Sequence, residues 1–316
     1  MMFRSAVALV LCASLFAGGS TLAAFPDQPV PTLPEGVQGY TLSGDPLVSA
    51  QPDRDALEKL AAARSDYERD PADADHIIWY GRRMAYTGDY RSAIRIFSEG
   101  IEKHPRDARM YRHRGHRYIS VREFDRAIRD LEFAAELIRG EENAIEPDGM
   151  PNALNIPVST LHGNIWYHLG LAYYLKHDWQ SAFDAFQKGF DTGRNGDNLV
   201  STGHWRYMIL RRMGKPAEAD RTLDDITADM SVIENTVYHR LCLFYKGQLS
   251  LADLVSDDAG NPTGAAAAYG IANWFFYNGD EAEARKRLQE LTSTDGWDSF
   301  GFIAAEADLA HMDGPR

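Results

Sequence analysis

Arginine and histidine side chains are concentrated in one stretch of this chain, residues 75–123. The stretch holds eleven lysines and arginines against six aspartates and glutamates, an excess of five positive charges in a protein whose formal net charge is −13. Arg109 and Arg112 are three residues apart, as are His113 and His116. The planar guanidinium fork of arginine suits carboxylates and phosphates. The stretch therefore predicts a site for an acidic peptide or an anionic polymer, unless it is a solvated helical face whose arginines pair with nearby acids.

The histidine pair is a poor candidate for a metal site. Two histidines three residues apart face one side of a helix and can bind a metal ion. His113 and His116 have no acidic third ligand in the same helix, however, and arginines surround them. The sequence also lacks the Gly-x-Ser-x-Gly, His-Glu-x-x-His and glycine-rich phosphate-loop motifs of common enzyme classes. We expect no catalytic residues, no metal and no cofactor, and hence a non-catalytic protein.

Small residues recur at the spacing of a helical repeat. Gly81 and Ala93 are followed 34 residues later by Gly115 and Ala127, with large apolar residues between them. The pattern returns once more at Gly170. Small residues let two helices approach closely, and the large ones fill the space between them. Because a helical pair of this kind cannot bury its apolar face alone, the pattern predicts a stack of such units.

This pattern resembles the tetratricopeptide repeat (TPR) family. The good repeats cover about 74–107, 108–141 and 163–196, weaker units follow, and the resemblance extends over about three quarters of the mature chain. It implies an all-α fold, a right-handed TPR-like α-solenoid of about five to six helical hairpins. An amphipathic segment from Trp297 to His311 is expected to form the C-terminal capping helix. Members of the family mostly scaffold or bind peptides, so the resemblance implies a binding or assembly module.

In this family the first helix of each pair lines a concave groove. The resemblance therefore implies twelve groove positions that contact a partner: Arg82, Tyr86, Arg109, Arg112, His113, His116, Asn164, Tyr167, His168, Tyr174, His204 and Trp205. The two-carboxylate clamp of some members is not implied, because Ile78 and Arg82 occupy positions where the clamp needs lysine and asparagine. We expect a protein or peptide partner, possessing an acidic segment if the arginines bind it. The acidic net charge argues against nucleic acid.

The first 24 residues have the composition of a secretion signal. Arg4 supplies a positive start, residues 6–16 are an apolar run, and small residues near Ala23 allow cleavage. An N-terminal membrane helix is the alternative, which the early Gly18 and Gly19 disfavour. The expected location is therefore secreted, in the bacterial periplasm, with no stable membrane insertion once the signal 1–24 is removed.

The predicted solenoid covers residues 53–312. One further segment precedes it and another interrupts it. Residues 25–52 are a proline-rich N-terminal arm, expected to be extended and either mobile or lying on the solenoid as a strap. Residues 142–161 are an insertion between the second and third good repeats. Residues such as Met150 and Leu154 make the insertion too apolar for a disordered linker. We therefore expect it to fold back over the groove.

The sequence as a whole predicts a non-catalytic scaffold of the cell envelope that holds a peptide or an anionic partner in its concave groove. Two alternatives remain open. One is an enzyme whose site lies under the insertion, with His162, His168 and His204 nearby. The other is a structural subunit of a larger envelope complex.

Overall fold

A computed structural model describes residues 32–193, 195–254 and 262–314 of the chain. In these residues the regular structure is almost entirely helical, with 14 helices and one two-stranded sheet. The predicted signal 1–24 and the start of the predicted arm lie outside the described residues. No helix of the described part is long and apolar enough to cross a bilayer.

The helices follow one another as hairpins, and the first two hairpins are in a 34-residue register. The second helix begins at Ala74 and the fourth at Ala108, while the third begins at Tyr90 and the fifth at Phe124. The helices are α1 (Arg54–Arg69), α2 (Ala74–Tyr86), α3 (Tyr90–Lys103), α4 (Ala108–Ser120), α5 (Phe124–Leu137), α6 (Leu161–Leu175), α7 (Trp179–Asp191), α8 (Gly196–Arg212), α9 (Pro216–Arg221), α10 (Thr236–Tyr245), α11 (Leu251–Leu254), α12 (Pro262–Tyr277), α13 (Glu281–Thr292) and α14 (Phe300–Met312). Six hairpins, α2–α3 to α12–α13, confirm the predicted all-α TPR-like solenoid.

Aspartates fix where several of these helices begin. The side chains of Asp53, Asp73 and Asp89 each accept a hydrogen bond from the backbone N–H three residues later, at 2.7, 2.9 and 2.9 Å. Such caps satisfy backbone donors that have no partner inside the helix, and each contributes about 0.5–2 kcal/mol. The hairpins therefore start at positions that the sequence specifies locally.

The turn inside each hairpin contains one residue in the left-handed backbone conformation. That residue stands two positions after the last residue of the first helix in every hairpin, with φ between 58° and 91°. The six residues are Gly88, Arg122, His177, Gly214, Gly247 and Gly279. Glycine adopts this conformation without strain. The conformation is strained for Arg122 and His177, so we expect contacts of their side chains to compensate for the strain.

The recurring small residues receive large side chains from the partner helix. A Cβ atom at Gly81 would lie 2.5 Å from the Phe97 ring, and one at Gly115 would lie 2.7 Å from Cγ of Leu131. Gly170 has the same relationship to a phenylalanine of α7, at 2.7 Å. Ala127, which the repeat aligns with Ala93, has no exposed surface. The 34-residue pattern of small and large residues is therefore the packing pattern of the hairpins.

The C-terminal helix α14 packs against the last hairpin, as expected of a cap, and also against α6 inside the solenoid. Its Glu306 accepts a hydrogen bond from Nη2 of Arg122 at 2.7 Å, and Asp308 pairs with His177 at 3.0 Å. Phe300 lies against the rings of His116 and Tyr167 and so covers the concave side of the third hairpin. The inner surface of the solenoid is therefore partly filled by the chain itself.

The described part of the predicted arm contains a β-hairpin rather than only extended chain. Strands β1 (Val37–Tyr40) and β2 (Pro46–Val48) pair antiparallel. Nε of Arg91 donates to the Gln38 carbonyl at 2.5 Å, and Nε1 of Trp297 donates to the Val48 carbonyl at 2.9 Å. Of the two alternatives for residues 32–52, these contacts fit a segment lying on the helices.

Candidate functional site

A polar cavity of about 150 Å³ lies between the first helices of the first three hairpins and the insertion. Three arginines line it, Arg82 from α2 and Arg112 and Arg117 from α4, and we name it the arginine cavity. Its wall also includes Tyr86, His113, His116, Glu146, Asp148 and Asn164. Six of the twelve predicted groove residues therefore share one site.

The insertion covers this cavity with its backbone and not with its apolar side chains. The carbonyl of Pro147 accepts from Nη1 of Arg82 at 2.8 Å, and the carbonyl of Gly149 accepts from Nη1 of Arg83 at 2.9 Å. The sequence predicts that 142–161 folds back over the groove because it is apolar. The insertion does lie over the cavity, but its backbone carbonyls make the contacts. The apolar side chains face solvent, with exposures of 62%, 73%, 63% and 48% for Ile145, Met150, Leu154 and Ile156.

One carboxylate of the insertion is inserted among the basic groups. Glu146 is 7% exposed, and its Oε1 atom lies 3.1 Å from Nη2 of Arg112. Its Oε2 atom accepts a hydrogen bond from Nδ2 of Asn164 at 3.0 Å. The ring of His113 lies further away, with Nε2 at 3.7 Å from Oε1. Glu146 thus compensates one guanidinium of the cavity and links the second and third hairpins through the insertion.

The other two guanidiniums of the cavity have no such partner. In the described residues no carboxylate lies within 4.0 Å of Arg82 or Arg117. Arg82 donates to the Pro147 carbonyl and stacks over Trp79 at 4.4 Å, while Arg117 lies against the His116 ring and 5.2 Å from the Tyr90 ring centroid. The Nε atoms of Arg82 and Arg112 are buried without a hydrogen-bond acceptor. The cavity therefore holds donors that are unsatisfied by the protein.

The histidines of the cavity are neutral at neutral pH. Burial lowers the pKa of His113 well below its ordinary value, and repulsion from Arg112 lowers it further. Burial and then the nearby Arg117 lower the pKa of His116 in the same direction. His168, whose ring lies 4.3 Å from that of His116, has a pKa lowered by burial and by Arg112. Positive charge at this site therefore comes from the arginines alone.

The remaining predicted groove residues do not line the cavity. Arg109 is at the outer edge of α4, where its side chain is 40% exposed and pairs with Asp75 and Asp107, each at 2.6 Å. The hydroxyls of Tyr167 and Tyr238 form a hydrogen bond of 3.0 Å, and the Tyr167 ring lies against Phe300.

Tyr174, His204 and Trp205 lie in the core, at 1%, 1% and 2% exposure. The Tyr174 hydroxyl bonds that of Tyr269 at 2.5 Å, and Nδ1 of His204 is 3.2 Å from the Tyr245 hydroxyl. Because these three residues are buried, the prediction that they line an open groove is wrong. The burial arises because α10 and α12 pack against α8, and α14 packs against α6.

The histidines of the enzyme alternative do not share one pocket. His162 lines a separate open groove of about 650 Å³ between the second and third hairpins, together with Trp166 and Tyr173. His168 is buried beside His116, and His204 is buried against Tyr238. In the described part of the chain no group of three or more histidine, cysteine, aspartate or glutamate side chains is arranged to hold a metal ion.

Sequence reasoning missed Arg117 and Glu146 as members of the site. Arg117 belongs to the basic stretch 75–123, but the repeat pattern does not assign it to the groove. Glu146 lies in an insertion that has no counterpart in the repeat, so no alignment could place its carboxylate. The only sequence signal for it was an acidic residue within a segment expected to fold back on arginines.

The hairpins, their register and their small-into-large packing define a TPR-like α-solenoid. No family model and no curated protein matches the sequence. Among solved structures the chain is similar to YrrB, a TPR protein with an unusual peptide-binding site, at 16% identity over 79% of this chain and 98% of that chain, with a TM-score of 0.42. It is also similar to a tetratricopeptide repeat protein from Parabacteroides merdae, at 14% identity over 79% of this chain and 92% of that chain, with a TM-score of 0.47.

Proposed function

We propose that this protein is a non-catalytic binding or assembly scaffold of the cell envelope that holds a peptide or another anionic partner. The observation that carries the proposal is the arginine cavity, where Arg82 and Arg117 have no carboxylate partner among the described residues. Buried guanidinium groups without a carboxylate in direct contact favour an anionic partner, because burial makes their interaction with a carboxylate or phosphate stronger than it is in water.

The insertion supplies a second reason to propose a partner at this face. Its exposed apolar residues include Met150, which directly follows the Pro147–Gly149 backbone that Arg82 and Arg83 fix to α2. Loops held by a rigid scaffold commonly carry binding function. Apolar side chains that a partner covers lose their exposed surface, which favours binding.

The envelope location is part of the same proposal and is supported by the composition of residues 1–24. Expression of the full chain in a Gram-negative host, followed by separation of periplasm from cytoplasm, tests it. We expect a shortened protein in the periplasmic fraction. Full-length protein retained in the cytoplasm would exclude this location.

Site-specific photo-crosslinking tests the partner-binding face. A photoreactive side chain at Met150, which is 73% exposed beside the cavity, should trap a partner in intact cells, whereas one at Leu57 of α1, which is 48% exposed, should not. The Met150 adduct should be lost when Arg117 is replaced by glutamate, since the charge of the cavity is then reversed at one position. Equal adducts at both positions, or an adduct indifferent to Arg117, would exclude this face as the binding site.

The enzyme alternative has one supporting observation and one opposing it. His113 and His116 lie under the insertion with Glu146, whereas the sequence predicts His162, His168 and His204 there. Both have a pKa held well below its ordinary value, which makes them weak general bases near neutral pH. Binding is therefore the function that this geometry supports best.

A further inference from the structure

We propose that the arginine cavity binds the carboxylate group of a small ligand, placed between Arg82 and Arg117 beside the Glu146 carboxylate. This rests on the proposed binding function and deepens it by naming the chemical group that is recognised. Two sources of that group fit the cavity, a free short-chain carboxylic acid or a carboxylate on a peptide partner. The experiment below separates them.

The insertion itself shows which anion this cavity accommodates. Glu146 is a buried carboxylate bonded to Arg112 at 3.1 Å and to Asn164 at 3.0 Å. A guanidinium N–H and a side-chain amide are donors that carboxylates favour. Arg82 and Arg117 line the same space and lack a carboxylate in the described part of the chain, so one such position is filled and a second is open.

The charge balance favours a single negative charge. Three guanidiniums line the cavity against two carboxylates, Glu146 and Asp148. This leaves an excess of one positive charge when the histidines are neutral. A monoanionic carboxylate balances that excess, whereas a phosphate group carries about −1.5 to −2 at neutral pH and would overcompensate it next to Glu146.

The size and the unsatisfied donors of the cavity agree with this ligand. Its volume of about 150 Å³ exceeds by far the roughly 10–15 Å³ that one water molecule needs, yet it is small for a folded segment of a partner. Nε of Arg82 is buried without an acceptor in a residue that is only 8% exposed. Leaving a buried charged donor without an acceptor is unfavourable, and a bound carboxylate would satisfy it.

Isothermal titration calorimetry of the full chain at neutral pH tests the proposal. The titrants are acetate and propionate, sulfate and inorganic phosphate, and a short peptide with a free carboxylate compared with the same peptide fully amidated. We expect saturable binding of the carboxylates and much weaker binding of sulfate and phosphate. Binding of the free acids identifies a small-solute site, whereas binding of the carboxylate peptide but not of the free acids or the amidated peptide identifies a peptide-borne group.

Three variants separate recognition from simple loss of structure. Arg117→Gln should weaken carboxylate binding about tenfold or more, because it removes a charge-assisted hydrogen bond. Arg95→Gln, at an exposed arginine of α3 that donates to Ser92 Oγ at 2.6 Å, is the matched control and should leave binding unchanged. Glu146→Gln should tighten binding, since it removes the resident negative charge while keeping the shape of the side chain.

The opposite signs expected for Arg117→Gln and Glu146→Gln keep the proposal testable even if one variant is less stable. Circular dichroism and thermal unfolding confirm that each variant is folded, and Arg117→Lys replaces Arg117→Gln if the latter is not. Absence of saturable carboxylate binding, equal affinity for sulfate, or equal loss in Arg95→Gln would overturn the proposal. If a Met150 crosslink persists in that case, the binding function stands without this ligand.

Discussion

Arg122 and Glu306 are 184 residues apart in the chain and form a buried ion pair, with Nη2 and Oε2 separated by 2.7 Å. Arg122 occupies the left-handed position of its hairpin turn, with φ of 64°, where four of the six hairpins have glycine. Its guanidinium also donates to the carbonyls of Ser120 and Trp297. The ion pair fastens α14 to the turn of the second hairpin and gives a reason for arginine at a position that favours glycine.

Arg122→Gly should destabilise the protein although glycine suits the backbone there. Loss of the partner leaves the Glu306 carboxylate buried, at a cost of about 3–5 kcal/mol, and relief of the left-handed backbone returns about 1–2 kcal/mol. The expected net loss in the free energy of unfolding is about 1–4 kcal/mol, measured by urea denaturation. Adding Glu306→Gln should recover part of the loss, because the buried charge is then removed.

Asn155→Gly is the matched control for the backbone effect. Asn155 also has a positive φ, of 52°, but lies in the exposed insertion. Its replacement should be neutral or stabilising by a few tenths of a kcal/mol. If Arg122→Gly behaves like Asn155→Gly, the ion pair contributes nothing measurable to stability.

Ala127→Leu should overpack the crossing of α4 and α5. Ala127 has no exposed surface, and added methyl groups at such a site typically cost about 1–3 kcal/mol. In urea denaturation the midpoint should fall while the m-value, the dependence of the unfolding free energy on denaturant, stays unchanged. Ala62→Leu, on the exposed side of α1, is the control and should shift the midpoint little. An unchanged midpoint for Ala127→Leu would contradict the repeat alignment.

His204 should make stability depend on pH below neutrality. Burial lowers its pKa to about 3 in the folded protein, against about 6.5 in the unfolded chain. The unfolded state therefore binds the proton first, and stability is lost as the pH falls from about 6.5 toward about 3, by about 1.4 kcal/mol per pH unit. His204→Gln should remove that share of the slope between about pH 6 and about pH 4. Urea titrations across this range check it, and an unchanged slope would show that His204 is protonated when folded.

The exposed apolar side chains of the insertion should matter for partner binding and not for folding. Replacing Ile145, Met150, Leu154 and Ile156 by serine should change the free energy of unfolding by less than about 1 kcal/mol, because all four are exposed. Crosslinked partner, trapped from a photoreactive group at the neighbouring Asp148, should decrease. Val48→Ser and Leu57→Ser, at exposed apolar positions elsewhere, are the controls. A large loss of stability would show that these side chains are packed in solution.

The hairpins were predictable from sequence because their packing is local. Gly81 and Phe97, or Gly115 and Leu131, are sixteen residues apart and repeat at a fixed period, so the pattern itself contains the contact. The burial of Tyr174 was not predictable, since it depends on Tyr269, 95 residues further along and outside the good repeats. An alignment to an open TPR array assigns such a residue to the groove. Only the return of the later helices shows that it belongs to the core.

The arginine cavity was half predictable for the same reason. Arg82, Arg112 and His116 follow from the faces of α2 and α4, whose period is regular. Glu146 depends on the path of an irregular segment, which periodicity does not determine. The basic character of the site could therefore be predicted from sequence, but its net charge and the pairing of each arginine could not.

The contacts of α14 with Arg122 and His177 bear on how this protein can change in length. Open repeat arrays gain or lose units readily, because each unit contacts only its neighbours. Here Glu306 and Asp308 reach back to turns of the second and third hairpins. Inserting or removing a whole hairpin between them would carry α14 away from both turns, break the Arg122–Glu306 ion pair and separate Asp308 from His177. The number of units between these turns and α14 is thus constrained by long-range contacts that an open array lacks.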